Sequence, residues 1–319
     1  MPAPALVLLA AGASRRYGRP KQLDPLGPSG ETIMELTARD AVAAGVGRIV
    51  LVVSGDEGAG RTGAESTGTA VTARMREAGR RDGYAGAVPI EAVEQRLEDV
   101  PAGFSPPGDR TRPWGTAHAL RAARHALAES GAPIVVANAD DWYGPDAVTR
   151  IVRSVAQNED PGFAALVPYP LEVTLPPASA PEAGGVSRGI VRTDEAGRVV
   201  DLREVLQLRR APGSPGMARG RAAVGCEVHV PLDALCSMNL WGFGPAIWDA
   251  LEQRFEEFVA HRGSDPEAEW FLPDVVLAAA AHGHLHVYAL EPGTVHLGIT
   301  HLADRERVRE GLRNALRDG

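Results

Sequence analysis

Short apolar runs alternate along the chain with stretches of helical periodicity. Five apolar runs predict buried β-strands: Ala5 to Leu9, Arg48 to Val53, Pro89 to Val93, Ile134 to Ala137 and Phe163 to Val167. Three stretches between them predict helices: Thr32 to Ala44, Thr116 to Ser130 and Pro145 to Gln157. Buried strands that alternate with helices indicate an α/β fold, in which a mostly parallel, mixed sheet carries helices on both faces.

The pattern shows neither an internal repeat nor a sharp boundary, so we expect a single domain over residues 1–319. Apolar positions in Ala303 to Leu316 have the spacing of an amphipathic helix that packs on the domain. Three segments rich in Gly, Pro, Thr or Ala predict mobile surface loops, the second a possible lid: Ser54 to Gly68, Pro101 to Pro113 and Ala211 to Arg221.

Composition narrows the class of protein. The formal net charge of -8 disfavours a general nucleic-acid binder, although basic residues gather locally near the N-terminus. With two cysteines, Cys226 and Cys236, we expect neither a disulfide framework nor a zinc site, which suits the cytoplasm. The apolar start lacks the basic region of a signal peptide, and no run is long enough for a bilayer span. We therefore expect a soluble protein without a membrane partner; an oligomer is possible.

The loop after the first predicted strand carries the strongest chemical signal. It reads LAAGASRRYGRPK from Leu9 to Lys21. Gly12 lets backbone N–H groups approach phosphate oxygens, and Arg16 and Lys21 add positive charge. The glycine spacing is neither GxGxxG nor GxxxxGK[ST], so we predict a phosphate-binding loop of another kind.

The pattern LAAGxSxRxxGxPK resembles the signature of nucleotidyltransferases, which join a nucleoside triphosphate to a phosphorylated small molecule and release pyrophosphate. Similar openings occur in the molybdenum-cofactor and methylerythritol cytidylyltransferase families, so this motif indicates only the superfamily. The resemblance implies a Rossmann-like fold, with Arg16 on the leaving pyrophosphate and Lys21 bridging the α-phosphate and the incoming phosphate. It also implies that the nucleotide lies against Leu9, Ala10, Ala11 and Gly12.

A second motif, PWGTAHAL from Pro113 to Leu120, places a Gly-Thr turn before a predicted helix. The Thr116 hydroxyl has two possible roles, an N-cap or a hydrogen bond to a base or ribose. The turn resembles the GTA turn that binds base and ribose in sugar-1-phosphate nucleotidyltransferases, which implies nucleotide contacts by Gly115 and Thr116. By the same resemblance Gln95 reads the base, and GTAHA favours UTP.

The third motif, VVANADDWYG, ends an apolar strand in two carboxylates. A strand-terminal Asp is well placed for Mg²⁺, although either Asp could merely cap the following helix. The resemblance implies that Asp140 is the metal ligand and a catalytic residue. It gives Asp141 a weaker role, as a nucleotide contact or a support for Asp140.

The later half resembles the sugar-phosphate pocket of the family, over about residues 163–300. A hairpin is predicted over Val186 to Glu204, and the segments SMNLWGF and EWFLPDVV follow it. The resemblance implies that Gly189, Glu204 and Asn239 bind the sugar phosphate. The alternative is that Glu204 is an ordinary charged residue on the surface.

Two features leave questions open. The family usually supplies a second metal ligand where HLGITHLAD has Gly298, and either Asp304 or His301 could substitute. The histidines of HGHLH, His282 to His286, alternate as on one face of a strand; we predict a structural strand rather than a metal site.

These motifs, in the expected order, resemble sugar-1-phosphate nucleotidyltransferases, and N-acetylglucosamine-1-phosphate uridylyltransferase catalytic domains in particular. The resemblance implies an enzyme that joins UTP to a sugar-1-phosphate by in-line attack, with Mg²⁺ as cofactor. Two alternatives stay open: transfer to a non-sugar or cyclitol phosphate, and a non-catalytic subunit that senses nucleotide-sugar. A glycosyltransferase is less favoured because NADD is not an Asp-x-Asp motif.

Overall fold

A computed structural model describes residues 2–12, 17, 20–55, 66–176, 185–222 and 224–317. The strands are β1 (Ala5–Leu9), β2 (Arg48–Ser54), β3 (Ile90–Gln95), β4 (Ile134–Asn138), β5 (Asp141–Trp142), β6 (Phe163–Pro170), β7 (Val186–Thr193), β8 (Val199–Arg210), β9 (Met217–Ala222), β10 (Glu227–Pro231), β11 (Leu235–Phe243), β12 (His286–Ala289) and β13 (Leu297–Gly298). The helices are α1 (Ile33–Ala43), α2 (Thr67–Arg81), α3 (Thr116–Ala122), α4 (Arg124–Leu127), α5 (Pro145–Gln157), α6 (Leu171–Thr174), α7 (Ile247–Arg262), α8 (Leu272–Ala281) and α9 (Arg305–Ala315). Short 3₁₀ helices cover Lys21–Leu23, Ala128–Ser130 and Leu302–Asp304.

One large mixed sheet organises the chain, in the order β10-β9-β8-β7-β11-β4-β1-β2-β3, and β6 pairs with β11 and β12. Strands β4, β1, β2 and β3 run parallel to one another. Strand β11 joins β4 antiparallel and links the parallel part to the hairpin β7–β8. This confirms the predicted α/β class. The carboxyl ends of the parallel strands meet at one edge, where ligands bind in open α/β sheets.

Side chains of β1 alternate between two cores, which explains the unbroken apolar run. Leu6 and Leu8 belong to a core beneath α1, α2 and α5. Ala5, Val7 and Leu9 belong to a second core beneath α3, α7 and α8. Because each face of the sheet is covered by helices, both sets of side chains leave water.

Most predicted elements are confirmed with small shifts at their ends. Helix α1 begins after Thr32 in a capping box, in which Thr32 Oγ1 accepts from the backbone of Glu35 and the Glu35 carboxylate accepts from the backbone of Thr32. The predicted helix over Thr116 to Ser130 is instead divided into α3, α4 and a 3₁₀ turn. The predicted C-terminal helix forms as α9, and its Val308 and Leu312 are fully buried.

Several local predictions are wrong. Within HGHLH, His282 ends α8 and only His286 lies on a strand, so the histidines do not share a strand face. The segment predicted as a loop over Ala211 to Arg221 contains most of β9. Pro101 to Pro113 contains neither helix nor strand, as predicted for a loop; the guanidinium of Arg110 donates to four backbone carbonyls, including those of Asp265 and Ala268, which anchors that end of the segment.

Residues 56–65 of the first predicted loop lie outside the described residues. None of the helices in the described part of the chain is long and apolar enough to cross a membrane.

Candidate active site

The loop that follows β1 is held in place by a side chain that the sequence analysis did not select. The Gln22 amide donates to the carbonyl of Ala10, at 3.1 Å, and to that of Gly12, at 3.2 Å. Gln22 is 3% exposed and lies in the 3₁₀ helix that Lys21 begins. The feature that could have identified Gln22 from the sequence is its position directly after Lys21, the lysine of the loop motif. Among the residues that the structure describes, none comes within 4 Å of a Cβ placed on Gly12, so this side of Gly12 is open toward them.

Lys21 and Asp140 meet at this edge as an ion pair, although they come from two separate motifs, 119 positions apart. Asp140 lies two residues beyond β4, and Lys21 approaches it from the loop after β1. Burial and the neighbouring charge of Asp141 raise the pKa of Asp140, and Lys21 opposes both effects. The two side chains are 18% and 23% exposed, so a ligand can still reach them. Arg16, the third predicted catalytic residue, lies outside the described residues.

Asp141 points into a buried polar group rather than toward solvent. The Asn138 amide donates to Asp141 Oδ2 over 2.8 Å, and His296 Nε2 lies 3.2 Å from Oδ1 as a charge contact. Burial would raise the pKa of Asp141, but His296 and the Asn138 amide together lower it. Asp141 Oδ2 thus accepts a hydrogen bond and Oδ1 faces the His296 ring, so the carboxylate is held within this group. The N-cap of α5 is Gly144, so neither Asp140 nor Asp141 caps that helix.

The segment expected to supply a second metal ligand does lie beside the carboxylates. Gly298 on β13 pairs with Asp141 on β5, and a side chain at Gly298 would collide with the Asp141 carboxylate. Asp304, one possible substitute, instead accepts backbone hydrogen bonds from Thr300 and His301. The buried side chain that this segment brings to Asp141 is His296, which the sequence analysis passed over.

Asp140 fits a magnesium site of one particular kind. Within the described ranges, no group of three His, Cys, Asp or Glu side chains is arranged to hold a metal ion alone. Magnesium ions often bind to proteins through one or two carboxylates and complete their octahedral shell with water and substrate phosphates. Asp140 is a partly exposed carboxylate beside the loop after β1, so it could supply one protein ligand to Mg²⁺. Water and substrate phosphates would supply the other ligands.

Gln95, Gly115 and His118 form a second buried group at the end of β3. Gln95 Nε2 donates to the Gly115 carbonyl at 3.1 Å and lies 3.2 Å from His118 Nδ1. Gly115 has φ 107°, and a Cβ there would come within 2.5 Å of the Trp270 carbonyl, so only glycine fits. Gly115 is also the N-cap of α3. The simple cap interpretation of Thr116 is therefore wrong; its hydroxyl accepts from the backbone of Leu272 at 3.0 Å.

The predicted sugar-phosphate residues lie on three neighbouring strands. Gly189 on β7 pairs with Glu204 on β8 and with Ser237 on β11. Asn239 adopts a left-handed conformation, φ 62°, where the register of β11 against β6 shifts. Extending the pairing of Trp241 with Val136 places Asn239 level with the end of β4, just before Asp140.

Glu204 lies farther out along the hairpin and is exposed. Burial of its inner part, with the nearby charges of Asp274 and Glu269, raises its pKa. The structure brings Gly189 and Glu204 together in register, and it brings Asn239 toward Asp140. Contact of Glu204 with a substrate remains a prediction.

Comparisons with known proteins agree with this arrangement. A model of the MobA-like NTP transferase domain matches residues 6–169. No curated protein matches the sequence. The inositol-1-phosphate CTP transferase from T. maritima has a similar fold, with TM-score 0.53, 14% identity, and coverage of 98% of this chain and 96% of that one. UDP-glucose pyrophosphorylase, solved in complex with UDP-glucose, is also similar, with TM-score 0.56, 11% identity, and coverage of 98% and 99%.

Proposed function

Because the chain belongs to the MobA-like NTP transferase family, we propose that it joins a nucleoside triphosphate to a sugar-1-phosphate and releases pyrophosphate. The observation that carries this proposal is the contact of Lys21 with Asp140 beside the open loop after β1. This contact supports the proposal because it joins a cation to a carboxylate of the kind that binds Mg²⁺, the two charges that a reaction between two anionic substrates would need. Such a transfer requires no protein nucleophile, because positioning and charge neutralisation supply the catalysis.

In the proposed reaction, a phosphate oxygen of the acceptor attacks the α-phosphorus in line with the departing pyrophosphate. Lys21 leaves Asp140 and places its ammonium between the α-phosphate and the acceptor phosphate. Its charge offsets the repulsion between the two anions. Gln22 keeps the loop carbonyls turned inward, which leaves the open side of the loop to the triphosphate. The role of Arg16 on the leaving group rests on the family resemblance.

Asp140 would hold Mg²⁺, with Asn138 and His296 fixing the neighbouring Asp141. The chemistry that Mg²⁺ supplies when bound is neutralisation of phosphate charge. With Mg²⁺ bound, Asp140 would have the metal as its positive partner in place of Lys21. This exchange keeps a carboxylate neutralised in a setting where burial disfavours its charge.

The base and the acceptor belong to the proposal as well. GTAHA and Gln95 favour UTP, and the hairpin with Gly189 and Glu204 favours a sugar phosphate. Transfer to a cyclitol phosphate is the second candidate, since the inositol-1-phosphate CTP transferase shares the fold over nearly the whole chain. We place the reaction in the cytoplasm, which the exposed free thiol of Cys226 supports.

The direct experiment measures pyrophosphate release with Mg²⁺, each of five nucleoside triphosphates, and a panel of sugar-1-phosphates and inositol phosphates. We expect release that requires both substrates. Lys21→Ala and Asp140→Asn should each lower kcat about 10²- to 10³-fold. Arg262→Ala, which removes an exposed ion pair with Asp265, serves as the control for general damage. Pyrophosphate release at the wild-type rate in both site variants would refute the roles assigned to Lys21 and Asp140. If no combination of triphosphate and acceptor gives release, the proposed function is refuted.

A further inference from the structure

Gln95 and His118 are the two inner members of a chain of hydrogen bonds that begins and ends on backbone carbonyls. Gln95 Nε2 lies 3.1 Å from the Gly115 carbonyl and 3.2 Å from His118 Nδ1. On the far side of the ring, His118 Nε2 lies 3.0 Å from the Asp99 carbonyl. Gln95 is 5% exposed and His118 only 1%, so water does not compete for these bonds.

The two carbonyls determine where every proton in this chain lies, because a carbonyl oxygen only accepts. The amide atom beside the Gly115 carbonyl must be the NH₂ group of Gln95. The ring atom beside the Asp99 carbonyl must carry a hydrogen, so Nδ1 of the neutral ring is an acceptor. Burial supports the neutral form, since it lowers the pKa of His118 to about 4. His118 Nδ1 therefore accepts the second amide hydrogen of Gln95.

Both hydrogens of the Gln95 amide are then committed to the protein. Its Oε1 accepts no hydrogen bond from the residues that the structure describes, and this oxygen is not fully buried. The oxygen is thus an open acceptor at the carboxyl end of β3, on the edge that carries Lys21 and Asp140. Rotating the amide would place its oxygen against the Gly115 carbonyl and against Nδ1, so the orientation is locked.

We propose that His118 is a positioning residue for base selection: it locks the Gln95 amide so that only Oε1 meets the nucleotide base, which selects a base with an N–H donor at that point. This inference rests on the proposed function. Uracil and cytosine carry donors at different places on the same edge, at N3 and at the amino group on C4. A fixed acceptor discriminates between them, whereas an amide free to rotate serves both.

Two substitutions at His118 distinguish its hydrogen bond to Gln95 from the contribution of its ring to packing. His118→Asn carries its amide near the position of Nδ1 and can turn Oδ1 toward Gln95. His118→Gln carries its amide near the position of Nε2 and can reach Asp99 but not Gln95. Both remove the ring that lies 4.9 Å, centroid to centroid, from Phe255, so both disturb the core in a similar way.

The readout is the ratio of kcat/KM between the best and the second-best triphosphate, measured at saturating acceptor. We expect His118→Asn to keep the wild-type ratio within about twofold, and His118→Gln to lower it about tenfold, the loss from one well-formed hydrogen bond in a site. Thermal unfolding of both variants separates discrimination from stability, because instability lowers the active fraction for all triphosphates equally and leaves the ratio unchanged.

Equal ratios in the two variants, or a wild type that does not discriminate between triphosphates, would overturn the lock and leave nucleotidyl transfer intact. A wild type that turns over no triphosphate would overturn both. An independent measurement uses long-range ¹H–¹⁵N NMR of the wild-type imidazole. The inference requires a hydrogen on Nε2 and none on Nδ1 of His118, and the opposite tautomer would overturn it without any activity assay.

Discussion

Arg305, at the start of the last helix, forms an ion pair with Asp24, three residues beyond Lys21. Its Nε lies 3.1 Å from Asp24 Oδ2, and Asp24 also accepts the hydroxyl hydrogen of Tyr17 from the phosphate loop motif. Asp24 is only 3% exposed. The C-terminal helix lies outside the part of the chain that the family model matches, yet it contacts the segment that carries Lys21.

Arg305→Ala should therefore act on both stability and substrate binding. Loss of a charge partner from a buried carboxylate costs about 1–3 kcal/mol where the cation is partly exposed. We also expect a higher KM for the triphosphate, because Tyr17 and Lys21 lose part of their support. Chemical unfolding and steady-state kinetics measure the two effects.

Arg309→Ala is the matched control for that variant. Arg309 lies on the same helix, its side chain is 30% exposed against 27% for Arg305, and its ion pair is with Glu306. Equal KM values for the two variants would mean that the ion pair with Asp24 does not support the loop.

Lys21 is the only lysine in the chain, which permits a direct test of its position. Pyridoxal phosphate followed by borohydride should label its side-chain amine, and peptide mapping measures the extent. Asp140→Asn should speed the labelling, because the ammonium loses its ion pair with Asp140. Triphosphate with Mg²⁺ should slow it several-fold if phosphates take the place of Asp140. The α-amine of the chain is the internal control, and equal protection of both amines would contradict a specific site.

Gly115→Ala tests the turn that positions Gln95. Gly115 has φ 107° and ψ -174°, a backbone conformation essentially restricted to glycine, which costs another residue about 1–3 kcal/mol, and the new Cβ would also press on the Trp270 backbone. We expect a total loss of about 3 kcal/mol or more in unfolding free energy, with weaker triphosphate binding. Gly131→Ala is the control: Gly131 has φ 61° and ψ 9°, the left-handed helical region, with open space around a Cβ, so this substitution should cost only about 1–2 kcal/mol. Similar losses at the two sites would rule out the collision.

Asp40 should give the protein a measurable pH dependence. Burial raises the pKa of Asp40 to about 6, while the Trp142 indole, which donates to it at 3.0 Å, and Arg39 oppose that rise. The unfolded chain, with an ordinary pKa of 3.8, releases this proton first, so ionisation favours unfolding. The penalty grows between about pH 4 and pH 6 and is complete above that range.

Asp40→Asn removes this penalty and keeps an acceptor for Trp142. We expect the variant to be about 1–2 kcal/mol more stable than the wild type at pH 8, with the difference vanishing toward pH 4. Urea unfolding at both pH values measures it. A difference that is constant with pH would show that Asp40 does not titrate in this range.

Local pattern accounts for much of the fold and for part of the site. The apolar run of β1 predicts a strand covered on both faces, and both cores are present. The elements that escaped prediction lacked such a pattern. Strand β9 contains alternating Arg, Gly and Ala, and it forms because β8 and β10 pair with it on either side.

The sequence by itself determined where the candidate catalytic residues lie: Lys21 at the end of a loop motif, and Asp140 beyond the end of an apolar strand. Both signals are local, since strand ends and loop composition can be read within about ten residues. Only the tertiary structure decided how distant residues combine. Lys21 and Asp140 are 119 positions apart, and Arg305 and Asp24 are 281 apart. Such contacts depend on how helices and strands pack. The sequence around a single side chain such as His296 or His118 does not indicate which residue that side chain will contact.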